Sequence, residues 1–291
     1  MKKISILLGL LLVVTSCSEP DNLINDVLNN YTNGAVIRTI ASSGEYNFYA
    51  PATSVFTATI EEHDNENGAL MQNIEMYVSL NSGAESLFQT LQPSEFTTGP
   101  TGLPRTDISV SLGDAMTTLG LSSSQYTGGD AVNISLKLNL TDGRSFSADQ
   151  ATGSMTGSYF KSPYKYAKII KCIPLSAVPG IYTFNMADSY GDGWQGGGIL
   201  VTVDGVVTKY GVPDNGDATG LESYVGNNSS GYATLTIPAD ANSMKFEWVD
   251  DTYNSECSYN IVYTALDGTN EQTALNVSVV SAGTSILSIC E

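Results

Sequence analysis

From about residue 36 onward, apolar and polar residues alternate in short runs, and Gly, Pro, Asn and Asp cluster between the runs. A period of two is what a strand with one buried face requires, so the chain reads as a succession of β-strands. In the first half the runs are Tyr46–Tyr49, Val55–Ile60, Ile74–Leu80, Leu87–Leu91, Ile108–Leu112, Ala131–Leu140 and Tyr164–Ile170, with one helical stretch at Gly113–Leu121. In the second half they are Tyr182–Ala187, Ile199–Val203, Val206–Tyr210, Tyr232–Ile237, Met244–Val249, Tyr259–Thr264, Ala274–Val280 and Ser285–Ile289. Asp142-Gly143, Asp204-Gly205 and Asp267-Gly268 each sit between two runs, and Asp-Gly suits the positive φ angles of a type I′ hairpin turn.

Strands spaced this way, with no alternating helices, predict an all-β protein and exclude βαβ architecture. Lys171 to Gly180 carries two prolines and a glycine, which punctuates the chain. We therefore expect two tandem β-sandwiches: an immunoglobulin- or fibronectin-like unit over residues 35–172 and a jelly-roll-like unit over residues 173–291. Charge shifts at the same place: residues 174–291 hold 14 acidic and 2 basic groups, against 13 and 8 in residues 35–173.

The first residues obey a different pattern. Met1-Lys2-Lys3 is basic, and Ile4–Val14 is almost wholly Ile, Leu and Val. This apolar run is too short to cross ~30 Å of hydrocarbon but suits the core of a signal peptide over residues 1–16. The run ends in Val14-Thr15-Ser16-Cys17. A small residue directly before the cysteine resembles the bacterial lipobox, which implies an acylated Cys17 as first residue of the mature chain. Acylation would anchor the protein without a spanning helix. Residues 17–34 form a polar tether with a weak helical spacing at Leu23, Ile24, Val27 and Leu28, and Ser18-Glu19-Pro20-Asp21 resembles the acidic export signal of Bacteroidetes surface lipoproteins. These resemblances imply the outer membrane, with the protein exposed at the cell surface.

The formal charge of -18 makes nucleic acid and anionic lipid headgroups poor partners, whereas divalent cations and neutral glycans fit it. Lipidation of Cys17 leaves Cys172, Cys257 and Cys290, of which only two can pair; Cys172 with Cys290 is the economical choice, and three buried thiols are the alternative. Zinc is disfavoured, because the chain has one histidine, His63, and no C-x-x-C pair. Two further polar stretches read as structural. Glu61–Gly68 is an acidic, solvated turn, and Lys161, Lys165, Lys168 and Lys171 guard a strand edge against pairing.

One segment carries candidate chemistry: Asp188-Ser189-Tyr190-Gly191-Asp192-Gly193-Trp194-Gln195-Gly196-Gly197-Gly198, between two strands. Its glycines let the backbone fold tightly, and Asp188 and Asp192 supply carboxylates of the kind that calcium gathers from 6–8 oxygens. Asp250 and Asp251, or Asp214 and Asp217, complete a shell if they reach the same pole. Three roles stay open for the loop: an Asp-capped turn with Trp194 over the core, a calcium site, and a sugar stacked on Trp194. The run Asp-Ser-Tyr-Gly-Asp-Gly-Trp resembles the recurring motif of a β-sandwich module in exported Bacteroidetes proteins, as does the lead-in Val178-Pro179-Gly180-Ile181-Tyr182-Thr183. The resemblance implies an extracytoplasmic accessory module and no single activity. Gln195, Gly197 and Gly198 depart from the Asn-rich continuation commoner there.

No G-x-S-x-G elbow, H-E-x-x-H helix or phosphate-cradling loop is present, so no catalytic residues are assigned and a non-enzymatic role is expected. The leading expectation is a lipid-anchored binding or accessory protein that captures glycan beside an outer-membrane transporter, an analogy with the two-sandwich lipoproteins of starch-utilisation systems. The alternatives are a structural or adhesive protein that recognises another surface protein, and a carboxylate-dependent glycoside hydrolase.

Overall fold

In the computed structural model the chain is described over residues 33–157 and 160–291. The signal peptide, Cys17 and residues 18–32 of the tether lie outside the described residues. Antiparallel strands dominate, and no helix among the described residues is long and apolar enough to cross a membrane.

The first half contains β1 (Val36–Ser43), β2 (Tyr46–Asn47), β3 (Val55–His63), β4 (Met71–Leu80), β5 (Ser86–Leu91), β6 (Thr97–Thr98), β7 (Pro104–Ser111), α1 (Leu112–Leu119), β8 (Ala131–Leu140), β9 (Ser145–Phe146), α2 (Gly153–Thr156) and β10 (Lys165–Lys171). One sheet runs β1-β3-β7-β6; the other runs β2-β10-β8-β4-β5, with β9 paired to β8. Alternation decides which face is buried. Val132, Ile134, Leu136, Leu138 and Leu140 of β8 point inward against Phe56, Ala58 and Ile60 of β3, forming one core between the two sheets. Each of these side chains apart from Ala58 contributes about 1.5–3 kcal/mol on burial. Helix α1 starts one residue before the expected position, because the Ser111 hydroxyl accepts the Asp114 N–H at 3.0 Å, and it stops at Gly120 in the left-handed conformation. Strand β10 pairs with β8 along most of its length but with only two residues of β2, in the one parallel pairing described. Its other flank is therefore open along Lys165 and Lys168, whereas Lys171 lies where β10 pairs with Asn47 of β2.

The second half contains β11 (Gly180–Asp188), β12 (Gly198–Val203), β13 (Val206–Tyr210), β14 (Val225–Gly226), β15 (Ser230–Ile237), β16 (Met244–Val249), β17 (Cys257–Thr264), β18 (Gln272–Val277) and β19 (Gly283–Thr284). Its sheets run β14-β15-β11-β17-β18 and β13-β12-β16-β19. Tyr182, Phe184 and Met186 of β11 face Val201, Phe246 and Trp248 across a second core that shares no residue with the first.

Several expectations need correction. Glu61–Gly68 is not a solvated turn: β3 continues through His63, and Glu61, Glu62 and Asp64 are all buried. Glu62 extends the inward stripe Phe56-Ala58-Ile60, while Glu61, on the opposite face, is held by Arg38 at 2.9 Å and Arg105 at 2.6 Å. Ser285–Ile289 forms no strand. The Ser285 N–H still donates to the Phe246 carbonyl of β16; beyond it the Ser288 N–H donates to the Ala274 carbonyl of β18 and the Ile289 N–H to the Cys172 carbonyl, each at 2.8 Å, so no continuous ladder forms. Only Asp204-Gly205 has both φ angles positive, as type I′ demands; at Asp142-Gly143 and Asp267-Gly268 the glycine alone does, the geometry of a type I turn closed by a glycine bulge.

Cys172 and Cys290 form a disulfide, and Cys257 is a buried free thiol. The bridge lies against the first unit, where a Cβ added to Gly128 would sit 2.2 Å from one sulfur and 2.4 Å from the other. Tyr49 adds a polar tie there, its hydroxyl donating to the Ile289 carbonyl at 3.0 Å and accepting the Glu291 N–H at 2.9 Å.

Candidate metal centre

Strand register builds the site. Asp188 ends β11 and pairs with Cys257, the first residue of β17, so the loop after β11 meets the loop before β17 at one pole of the second sandwich. The Ser189 N–H donates to the Glu256 carbonyl at 3.0 Å and stitches the two loops together. As a result, one carboxylate oxygen from each of Asp188, Asp192 and Glu256 lies within 4.8 Å of the other two. Oxygens bound to one calcium at roughly 2.4 Å can be separated by up to about that distance.

Two glycines permit the fold of the loop. At Gly193, φ is 100°, and a Cβ would fall 2.0 Å from the Pro213 carbonyl oxygen. At Gly197 a Cβ would fall 2.6 Å from Cβ of Asp251, so only glycine lets Asp251 lie against the loop.

Asp188 is 4% exposed. Its Oδ1 accepts the N–H groups of Tyr190 and Gly191, each at 2.7 Å, whereas no protein donor reaches Oδ2. Asp251, also buried, shows the same asymmetry: Oδ1 accepts the Tyr253 N–H at 2.9 Å and Oδ2 has no donor. Asp192 Oδ1 accepts from Gln195 Nε2 at 2.7 Å. Among the described residues, no cation pairs with Asp188, Asp192, Asp251 or Glu256. The two lysines of this half are engaged elsewhere, Lys209 on the Gly196 carbonyl at 2.8 Å and Lys245 with Glu247 at 2.6 Å. Partial burial and the charges of Asp188, Asp192 and Asp251 raise the Glu256 carboxyl above its ordinary range. A carboxylate oxygen buried with neither donor nor counter-ion costs several kcal/mol, and a divalent cation removes that cost.

The donor set consists of oxygens. Cys257 is not one of the three residues whose donor atoms come together, and its Sγ donates to the Tyr253 carbonyl at 3.7 Å. Hard, irregular, all-oxygen surroundings suit calcium better than zinc.

Of the residues expected at the site, Asp188 and Asp192 are at its centre and Asp251 borders it. Asp250 does not join them: it is exposed, with Oδ1 accepting from Asn254 Nδ2 at 2.8 Å. Asp214 and Asp217 are outside the group as well, although the Asn215 N–H between them donates to the Asp192 carbonyl at 2.8 Å. Trp194 cannot stack on a sugar. It is 3% exposed, packed edge-on against Trp248 at 5.0 Å, and its Nε1 donates to the Ala187 carbonyl at 3.2 Å. Glu256 was not anticipated, since only the pairing of β11 with β17 places it near Asp188.

A cavity of about 540 Å³ lies in the first unit, lined in part by Asn33, His63, Asp64, Phe146 and Tyr164. Its carboxylate is already satisfied, Asp64 accepting the N–H groups of Glu66, Gly68 and Leu70 at 2.7–2.8 Å. The acidic pole of the second unit is therefore the stronger candidate. In comparisons with known proteins, no family model matches the chain and no curated protein matches it.

Proposed function

We propose that this chain is an exported, lipid-anchored, non-catalytic binding protein of the cell surface, whose second sandwich holds a calcium ion between Asp188, Asp192 and Glu256. The observation that carries the calcium reading is the buried Oδ2 of Asp188, which lacks any donor and belongs to a carboxylate grouped with two others. The ion would fasten the loop after β11 to the loop before β17 and give the pole a fixed shape. Anchoring rests on the sequence Val14-Thr15-Ser16-Cys17.

The test is thermal unfolding followed by tryptophan fluorescence, because both tryptophans, Trp194 and Trp248, lie in the second core. Calcium at one hundred times its dissociation constant stabilises the folded state by about 2.7 kcal/mol, so the midpoint should rise with added calcium and fall with EGTA. Asp188→Asn should abolish the response. A wild-type midpoint unmoved by millimolar calcium would refute the site. Export and acylation are checked separately by palmitate labelling, expected in the wild type and absent in Cys17→Ala.

A further inference from the structure

Trp194, buried over the core, offers the acidic pole no aromatic platform, but the two loops that meet there present another. Tyr190 is 77% exposed and Tyr253 is 53% exposed. Each follows by two residues a buried aspartate, Asp188 or Asp251, and each donates its backbone N–H to that aspartate's Oδ1. These are the two aspartates whose Oδ2 atoms lack donors. The conformation that offers each ring to solvent is thus set by a carboxylate at or beside the cation centre, and the Ser189–Glu256 hydrogen bond joins the two loops.

We propose that Tyr190 and Tyr253 form the contact surface of a calcium-dependent site for a neutral sugar. The proposal rests on the calcium reading above and extends it to a ligand. Three physical arguments select the ligand class. Flat aromatic faces in water bind the C–H faces of sugar rings, which bury apolar area while leaving the hydroxyls wet. The pole carries Asp188, Asp192, Asp251 and Glu256 with no paired cation among the described residues, so even after one divalent ion binds, anionic ligands are repelled. Three carboxylates supply only part of the 6–8 oxygens that calcium takes, and adjacent hydroxyls are neutral oxygen donors suited to the remaining positions.

The experiment uses the full chain in detergent. Its probes are immobilised starch, xylan, mannan and mixed-linkage β-glucan, with polygalacturonate as an anionic comparator, each in calcium and in EGTA. The expected result is retention on at least one neutral polymer, lost in EGTA and weakened at least tenfold by Tyr190→Ala and by Tyr253→Ala. Both variants should keep the wild-type calcium-dependent rise in melting midpoint, since neither side chain is buried. A calcium-dependent midpoint with no retention on any neutral polymer, retention that both variants leave unchanged, or preference for polygalacturonate would overturn this inference and leave the metal reading standing. Absence of the midpoint shift in the wild type would overturn the metal reading and this inference together.

Discussion

Replacing Glu62 by glutamine should reverse the sign of its effect on stability between pH 4.5 and pH 8. Glu62 occupies an inward position of β3, is 0% exposed, and has no donor on either carboxylate oxygen. The nearby Tyr164 hydroxyl does not help, because it donates to the Ala35 carbonyl at 2.7 Å. Burial, and then the charge of Asp64, push the Glu62 carboxyl up from 4.5 to about 8. The folded chain therefore keeps a proton that the unfolded chain releases near pH 4.5. The contribution of Glu62 to stability is intact below pH 4.5, declines as pH rises toward 8, and is flat beyond. At 1.36 kcal/mol per unit, the full decline is on the order of 5 kcal/mol. Glutamine has the same shape and stays neutral, but it adds two amide hydrogens without acceptors, at about 1–3 kcal/mol. The variant should thus be less stable than wild type at pH 4.5 and more stable, by roughly 2–4 kcal/mol, at pH 8. Urea unfolding followed by tyrosine fluorescence and circular dichroism across this range measures the difference. Tryptophan fluorescence provides an internal control, since both tryptophans lie in the second core. A difference between variant and wild type that stays constant within about 0.5 kcal/mol from pH 4.5 to 8 would refute the reasoning.

Three further outcomes follow from other features. Replacing Cys172 and Cys290 by serine opens a loop spanning 118 residues, and the chain-entropy relation puts the loss near 5 kcal/mol, measurable as a lower urea midpoint under non-reducing conditions. Arg105→Met should destabilise the first unit by about 1.5–3 kcal/mol, because Glu61, itself fully buried, loses its 2.6 Å partner while keeping Arg38 at 2.9 Å; Arg38→Met in addition should deepen the loss in the same unfolding assay. Gly193→Ala drives a methyl group into the Pro213 carbonyl at 2.0 Å and should lower the melting midpoint followed by tryptophan fluorescence, by about 2–4 kcal/mol in stability; an unchanged midpoint would contradict the loop geometry.

The strands were legible because one face of each is buried. Ile74, Met76 and Val78 in β4, or Tyr182, Phe184 and Met186 in β11, announce a strand without any knowledge of its partner. The same rule applied one step further predicts Glu62 as an inward residue after Phe56, Ala58 and Ile60, yet its charge argued for solvent, and pattern and chemistry disagreed at that position. In Ser285–Ile289 the alternation was present but no ladder partner was. Pairing is a property of two segments, and in this case the backbone donors scatter over three: Ser285 donates to Phe246, Ser288 to Ala274 and Ile289 to Cys172. The acidic loop was readable from its glycines and aspartates, but one of the three carboxylates of the candidate site was not. Glu256 lies far along the chain from Asp192, and only the alignment of Asp188 with Cys257 reveals their proximity. Trp194 was legible in part: the sequence left it either over the core or open to a sugar, and Trp248 and Tyr259, which enclose it, decide for the core.

The link between Cys172 and Cys290 makes almost the whole second sandwich a covalently closed ring, suspended from the first unit at one point. A protease that nicks any one of its exposed connections, whether near Asn215 or near Asp267, leaves both fragments attached to the remainder of the chain. Shedding a piece of this unit requires two separate cuts or a reductant. A single scission would then leave both parts of the second sandwich joined to the first unit.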